Sequence, residues 1–202
     1  IIFATNNQTA IPKASLRVTD PIHLQIEMYL RNRGLYYDRR KNYYKNQKKK
    51  SADIVGVSFL AQCLISIILR KPDFARARPS TLLTDDNTYS ILYNKDNPLQ
   101  AYYKAAMLGK MVYKNLSLSV DMAPSEKGDI MFYVLYGIVA KTLNKKQVSF
   151  SEVASLDLSA ITDDTINDIK KTVFNKYKEL GGNGKIVKNS SFVSDVDAAI
   201  GI

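Results

Sequence analysis

The residues best suited to chemistry lie in one stretch, Leu35 to Lys50, which reads LYYDRRKNYYKNQKKK. It interleaves four tyrosines with seven cationic side chains and a single carboxylate. Cations neutralise phosphates and flat rings stack on bases, so this mixture suits a polyanion with stackable groups. The same composition also suits a solvated, basic surface hairpin.

Two sets of side chains in this stretch fit a nucleic-acid site. Phosphates are the expected ligands of four cations, Arg39, Arg40, Lys41 and Lys45. Bases are the expected stacking partners of nearby rings, Tyr37, Tyr43 or Tyr44. The alternative is that Tyr36 and Tyr43 pack inward while the cations only keep the edge soluble.

The net charge of +10 is concentrated near the N-terminus. Residues 1–50 contain eleven Lys/Arg and three acidic residues, whereas residues 51–202 hold eighteen cations and sixteen acids. Such a regional excess favours an anionic partner, because binding releases the counterions condensed on it. Two further arginines, Arg76 and Arg78, either extend the basic patch or, as we favour, pin a loop by bonding carboxylates and carbonyls.

Catalytic chemistry is weakly represented. His23 is the single histidine and Cys63 the single cysteine; we interpret the first as structural and the second as a small core residue. Asp168-Ile169-Lys170 has the acid-x-Lys spacing of a metal-dependent nuclease but falls inside a predicted helix. We therefore predict no metal site and no cofactor, and the sequence leaves enzymatic activity open.

Hydrophobic periodicity predicts a mainly α fold of about seven helices, with a small β edge of two or three short strands near the N-terminus. Asp20-Pro21 is a good helix start, because a capping acid precedes proline at the first helical position. The longest expected helices are Phe59–Arg70, Pro98–Leu116, Ser125–Leu143 and Thr162–Leu180. Short helices are expected at Thr88–Tyr93 and Ser191–Ile200, and another where Ser149 and Glu152 have the spacing of a capping box. Strands are expected at Ile1–Thr5 and Leu35–Arg40, and a flexible loop at Lys41–Lys50.

Domain organisation and compartment follow from simple bounds. The apolar run Ile54–Leu69 is shorter than the roughly 20 residues that span a bilayer, so we predict a buried core helix and no membrane association. A lone cysteine and a start unlike a signal peptide make a cytoplasmic setting the default. We expect residues 1–202 to form one helical domain, weakest near residues 120–127, and to be a fragment of a larger protein.

Three segments match a known family in order and spacing: ATNNQTAIPKASLR (Ala4–Arg17), IEMYLRNRGLYYDRRKNYY (Ile26–Tyr44) and LAQCLISIILRKPDFARARPSTLL (Leu60–Leu83). Together they resemble the AIPR family, the abortive infection phage resistance proteins of bacteria. The resemblance implies a cytoplasmic protein of anti-phage defence, often encoded beside restriction–modification genes.

Two family elements correspond to named positions of this sequence. The Thr-Asn-x-Gln element falls on Thr5–Gln8, and the aromatic–acid–Arg–Arg–Lys element falls on Tyr37–Lys41. By analogy with DNA-processing proteins that carry Asn-rich boxes, a phosphate or nucleotide contact is expected from Thr5, Asn6, Asn7 and Gln8. A tight structural turn is the alternative, because amide side chains bond their own backbone.

Three functional hypotheses result. In the first, the chain is a nucleic-acid-associated domain of a phage-defence protein, with DNA or RNA as partner. In the second, it is part of a nuclease or nucleotide-hydrolysing effector whose catalytic residues lie outside this sequence. In the third, it is a scaffold for another defence-system protein, which a large exposed apolar patch would favour.

Overall fold

The computed structural model describes residues 17–77 and 79–202, without the side chain of Leu82. This part of the chain holds 11 α-helices and a two-stranded sheet, which confirms the mainly α class. In chain order the elements are α1 (Pro21–Arg31), β1 (Tyr36–Asp38), α2 (Tyr43–Asn46), β2 (Ile54–Gly56), α3 (Val57–Ile67), α4 (Pro72–Ala77), α5 (Pro79–Thr84), α6 (Asp86–Leu92), α7 (Leu99–Leu118), α8 (Pro124–Leu143), α9 (Phe150–Ser155), α10 (Asp163–Glu179) and α11 (Phe192–Ile200). Short 3-10 turns occupy Ser51–Asp53, Leu158–Ala160 and Ile186–Lys188.

Helix α1 begins at Pro21, where the missing amide hydrogen of proline costs nothing. Gly34 follows its end with a φ of 81°, a left-handed conformation that glycine adopts without strain. Arg33, two residues past the end of the helix, is exposed. The buried face of α1 includes His23 and Glu27, because partners on other elements satisfy their polar atoms.

The two strands pair in parallel, with Tyr37 opposite Val55. The apolar run that looked wholly helical is therefore divided: Ile54–Gly56 forms β2, and α3 begins at Val57. The N-cap of α3 is Gly56. Residues 41–50, expected to be a flexible loop, contain the single-turn helix α2.

Helix α8 lies at the centre of the core and packs against α3, α4, α7, α10 and α11. Helix α7 also packs closely against α3. An ideal Cβ at Gly109 would lie 2.5 Å from Cys63 Sγ, so glycine permits this approach. Cys63 is buried as predicted, and burial raises the pKa of its thiol far above the usual range. Its side chain is thus a packing group in the folded protein.

The long helices follow the sequence prediction closely, and α6, α9 and α11 lie where short helices were expected. Ser149 and Glu152 form the expected capping box of α9, with Ser149 N donating to Glu152 Oε2 at 2.8 Å. Helices α2, α4 and α5 were not foreseen, since four to six residues give too little periodicity to detect. Among the described residues, no helix is both long and apolar enough to cross a membrane.

A candidate nucleic-acid interface around helix α2

Asp38, the only acid of the tyrosine-rich stretch, is used to build the turn between β1 and α2. Its carboxylate accepts hydrogen bonds from Asn42 N at 2.9 Å and Tyr44 N at 3.4 Å. Asn42 takes a left-handed conformation, φ 64°, immediately before the helix. The carboxylate therefore faces its own backbone, and α2 is fixed relative to the sheet.

Two of the tyrosines predicted to stack on bases face the interior. Tyr37 is 0% exposed and Tyr44 is 3% exposed. The Tyr37 hydroxyl lies 2.8 Å from His23 Nδ1, and the Tyr44 hydroxyl donates to Glu27 Oε1 at 2.5 Å. Neither ring is open to a base, so both leave the set of contacts that we propose below. Tyr36 and Tyr43, which the alternative interpretation placed in the interior, are instead partly exposed.

Arg39 also belongs to the interior. Its Nε donates to Glu27 Oε2 at 2.6 Å and its Nη1 donates to the Val18 carbonyl at 2.9 Å. Its side chain is only 13% exposed. Burial of Glu27 would by itself raise the pKa of that carboxyl, but hydrogen bonds from Tyr44 and Arg39 hold it below the usual value. Arg39 thus closes a structural network and is not free to bind a phosphate.

The remaining cations of the stretch point to solvent. We call residues Arg40–Lys50 the basic segment, which contains no acid. Its six cations are all exposed: Arg40, Lys41, Lys45, Lys48, Lys49 and Lys50. None of them forms an ion pair with a carboxylate in the described ranges. The surface is therefore a concentrated, unneutralised positive patch.

Two tyrosine rings lie beneath the charged groups of this patch. The Arg40 guanidinium lies 3.7 Å from the ring centre of Tyr43, and the Lys49 ammonium lies 4.8 Å from that of Tyr36. These cation–π contacts hold the charged heads above the surface. They also cover ring faces that a base would need, so phosphate contact is the chemistry best served by this arrangement.

The structure does not test the other predicted site residues near the N-terminus. Thr5, Asn6, Asn7 and Gln8 lie outside the described residues, as do the expected strand Ile1–Thr5 and Arg78. Arg76 donates to Asp129 Oδ1 at 2.9 Å, which confirms the prediction that it pins the fold.

Catalytic arrangements are not evident in residues 17–77 and 79–202. No group of three or more His, Cys, Asp or Glu side chains there is placed to hold a metal ion. His23 is buried between two phenols, with Nδ1 near Tyr37 and Nε2 3.1 Å from the Tyr89 hydroxyl. Burial lowers the pKa of His23 to about 4. It is structural in role, as the sequence suggested.

Sequence reasoning missed a second surface feature, which we call the α3–α7–α8 groove. It has a volume of about 980 Å³ and is lined by apolar side chains from three helices: Phe59, Met107, Met111, Met131 and Phe132. The sequence predicted the helix that carries Met107 and Met111, but a helix pattern alone does not show which part of a face stays uncovered.

The described chain is thus a helical protein with one acid-free basic surface and one apolar groove. It belongs to the AIPR family: the family profile described as AIPR protein matches residues 1–185. Membership points to abortive-infection phage defence. No curated protein and no solved structure gives a significant match.

Proposed function

We propose that this chain serves phage defence by binding the phosphate backbone of nucleic acid on the basic segment. The observation that carries the proposal is that six exposed cations lie within eleven residues of sequence and none pairs with a carboxylate in the described part of the chain. Asp38, the acid just before them, is bonded to the backbone. Unpaired cations are free to replace the counterions that surround a polyanion.

The expected recognition depends on charge more than on sequence. Arg40, Lys41 and Lys45 are the central phosphate ligands, and Lys48–Lys50 extend the surface. Because Tyr37 and Tyr44 are buried and Tyr43 is covered by Arg40, base stacking contributes little. Double-stranded and single-stranded DNA or RNA are therefore all suitable ligands of the basic segment. Their affinity should fall steeply as the salt concentration rises. A cytoplasmic setting and a link to restriction–modification systems belong to the same proposal.

The test is a titration of fluorescein-labelled duplex and single-stranded oligonucleotides with the protein, repeated between about 50 and 200 mM salt. The variant Lys41→Glu/Lys45→Glu should weaken binding at least about tenfold and reduce the salt slope by about two. A matched control is Lys146→Glu/Lys171→Glu, which reverses two exposed lysines outside the basic segment without touching a described ion pair.

The two double variants carry the same change in net charge. If both weaken binding equally, the affinity reflects total charge and the basic segment is not the site. If neither changes it, nucleic-acid binding at this surface is refuted. Only a loss confined to Lys41→Glu/Lys45→Glu supports the proposal.

A further inference from the structure

The α3–α7–α8 groove is an elongated apolar trough. Its lining on α7 runs from Met107 to Ser117, which corresponds to about 15 Å at the rise of an α-helix. Phe59 on α3 lines a second side of the groove, and Met131 and Phe132 on α8 line a third. Three methionines in one groove favour a partner with varied apolar side chains, because the thioether chain adapts its shape.

Two long polar side chains of the groove, Lys110 and Gln62, are already engaged within the protein. Lys110 Nζ donates to the Ala52 carbonyl at 2.7 Å and the Ile54 carbonyl at 2.8 Å. Gln62 Nε2 donates to the Ala75 carbonyl at 2.8 Å. A small polar ligand needs several free groups converging on it, and these two side chains do not provide them. The geometry instead suits an occupant that brings apolar side chains and satisfies its own backbone, as a helix does.

The charge around the groove indicates which charged side chains the bound helix should carry. Lys110 and Lys114 line it with one carboxylate, Asp53, whereas the third lining cation, Arg76, is already paired with Asp129. Lys114 is exposed and has no carboxylate partner in the described part of the chain. Acidic side chains flanking an apolar stripe would complement this rim and would find few competing acids.

Gly128 is an independent indication that another chain approaches the groove closely. It lies inside α8, where glycine is about 1 kcal/mol less favourable than alanine. A Cβ at this position would meet nothing within 4 Å, so intramolecular packing does not require glycine. Gly128 lines the groove, and a bare backbone there permits close approach by another chain.

Apolar surface continues past the end of the trough. Leu118 is 71% exposed and Val120 is 101% exposed, directly after Ser117 of the lining. Large exposed apolar side chains grouped beside a groove are typical of protein–protein contact surfaces.

From this combination we propose that the α3–α7–α8 groove docks an acidic amphipathic helix of a partner protein. The helix places its apolar stripe against the methionines, passes closest to the backbone at Gly128, and sets carboxylates near Lys114. This inference does not depend on nucleic-acid binding, since the basic segment does not line the groove.

The probe is a display library of peptides about four helical turns long. Each peptide has apolar residues at i, i+3, i+4 and i+7, and its flanking positions vary between Glu and Lys. The full chain is the bait. Enriched peptides should carry Glu flanks and bind at least about tenfold more tightly than their Lys-flanked counterparts.

Substitutions at Gly128 test the location without threatening the fold. Gly128→Leu places a bulky side chain in open space and should abolish peptide binding, whereas Gly128→Ala should bind about as well as the wild type while raising the unfolding midpoint. Lys114→Glu should weaken the Glu-flanked peptides about tenfold and relieve the discrimination against Lys flanks.

Several outcomes would overturn the inference. They are enrichment of no peptide, equal enrichment of both flank types, or binding that Gly128→Leu leaves intact. Self-association that Gly128→Leu abolishes, measured by sedimentation without peptide, would assign the groove to a second copy of the chain. The variant Lys41→Glu/Lys45→Glu should retain peptide binding, so failure here and failure of nucleic-acid binding are distinguishable.

Discussion

The cations of the basic segment differ in their surroundings from the cations that contact helices α8 and α11. In the basic segment, six exposed cations have no carboxylate opposite them. Around α8 and α11, buried acids hold cations from distant parts of the chain. Asp197 binds Arg70 across 127 residues of sequence, and Asp129 binds Arg76 across 53.

This difference separates charges that stabilise the fold from charges available to a partner. A buried carboxylate is costly unless it is paired, so Asp197 and Asp129 tie their arginines to the core. An exposed lysine in water contributes little to stability and remains free to exchange counterions. Arg39 shows that local charge density does not decide the matter, because it lies within the basic stretch yet pairs with buried Glu27.

The largest predicted effect is on the paired side. Asp197 is 1% exposed, binds Arg70, and accepts from the Tyr136 hydroxyl at 2.7 Å. Asp197→Ala leaves the guanidinium without its carboxylate and the phenol with only the Lys146 carbonyl, 3.2 Å away, as acceptor. We expect a loss of about 3–5 kcal/mol in the free energy of unfolding, measured by urea denaturation. Lys171→Glu is the control and should stay within about 0.5 kcal/mol; a similar loss in both would contradict the distinction.

A second effect arises beneath the basic segment, where His23 is kept neutral. Burial is the main cause that lowers the pKa of His23 to about 4. The negative charge of Asp20 raises this pKa and the positive charge of Arg39 lowers it further. Between pH 6.5 and about 4 the unfolded chain binds a proton that the folded chain does not. The stability due to neutral His23 is therefore fully present above pH 6.5 and falls as the pH decreases through this window, by about 3 kcal/mol in all.

Urea midpoints at a series of pH values measure this slope directly. His23→Gln removes the titrating group and should flatten the slope above pH 5, whatever its effect on absolute stability. Glu27 adds a separate loss at lower pH, since its folded-state pKa is depressed and its contribution disappears as the pH falls through that value. An unchanged slope in His23→Gln would show that His23 is not the group responsible.

Adjacent arginines provide the sharpest comparison. Arg39→Met keeps the length of the side chain but removes its bonds to Glu27 and Val18, so we expect a loss of about 2 kcal/mol with an unchanged salt slope for nucleic acid. Arg40→Met should alter stability by less than about 0.5 kcal/mol and reduce the salt slope by about one. Denaturation and oligonucleotide titration of both variants give the two readouts. The reverse pattern would refute the assignment of these residues.

The fold was predictable wherever the chain contains long periodic segments. The approximate limits of α7, α8 and α10 follow from apolar residues at helical spacing, and Asp20-Pro21 and the Ser149–Glu152 pair mark helix starts. The division of Ile54–Leu69 into β2 and α3 was not predictable. A continuously apolar run carries no period, and the pairing of Tyr37 with Val55 is a tertiary choice.

The sequence indicated which stretch is basic and aromatic, but not which of its side chains are exposed to solvent. Composition alone marked the stretch from Leu35 to Lys50. It did not distinguish Arg39 from Arg40, because the partner of Arg39 is Glu27 on another element. The α3–α7–α8 groove escaped sequence reasoning for the same reason, since its walls come from helices that only the fold brings together.

The smallest predicted effect concerns the stability of the basic segment itself. Its six like charges repel one another and make no ion pair in the described chain, so removing two should not destabilise the protein. Lys41→Gln/Lys45→Gln should raise the free energy of unfolding by about 0.3 kcal/mol at low salt, with the gain vanishing as salt screens the repulsion. Urea denaturation at low and high salt measures the difference. A loss above about 1 kcal/mol would mean that these lysines stabilise the fold and belong with Arg39.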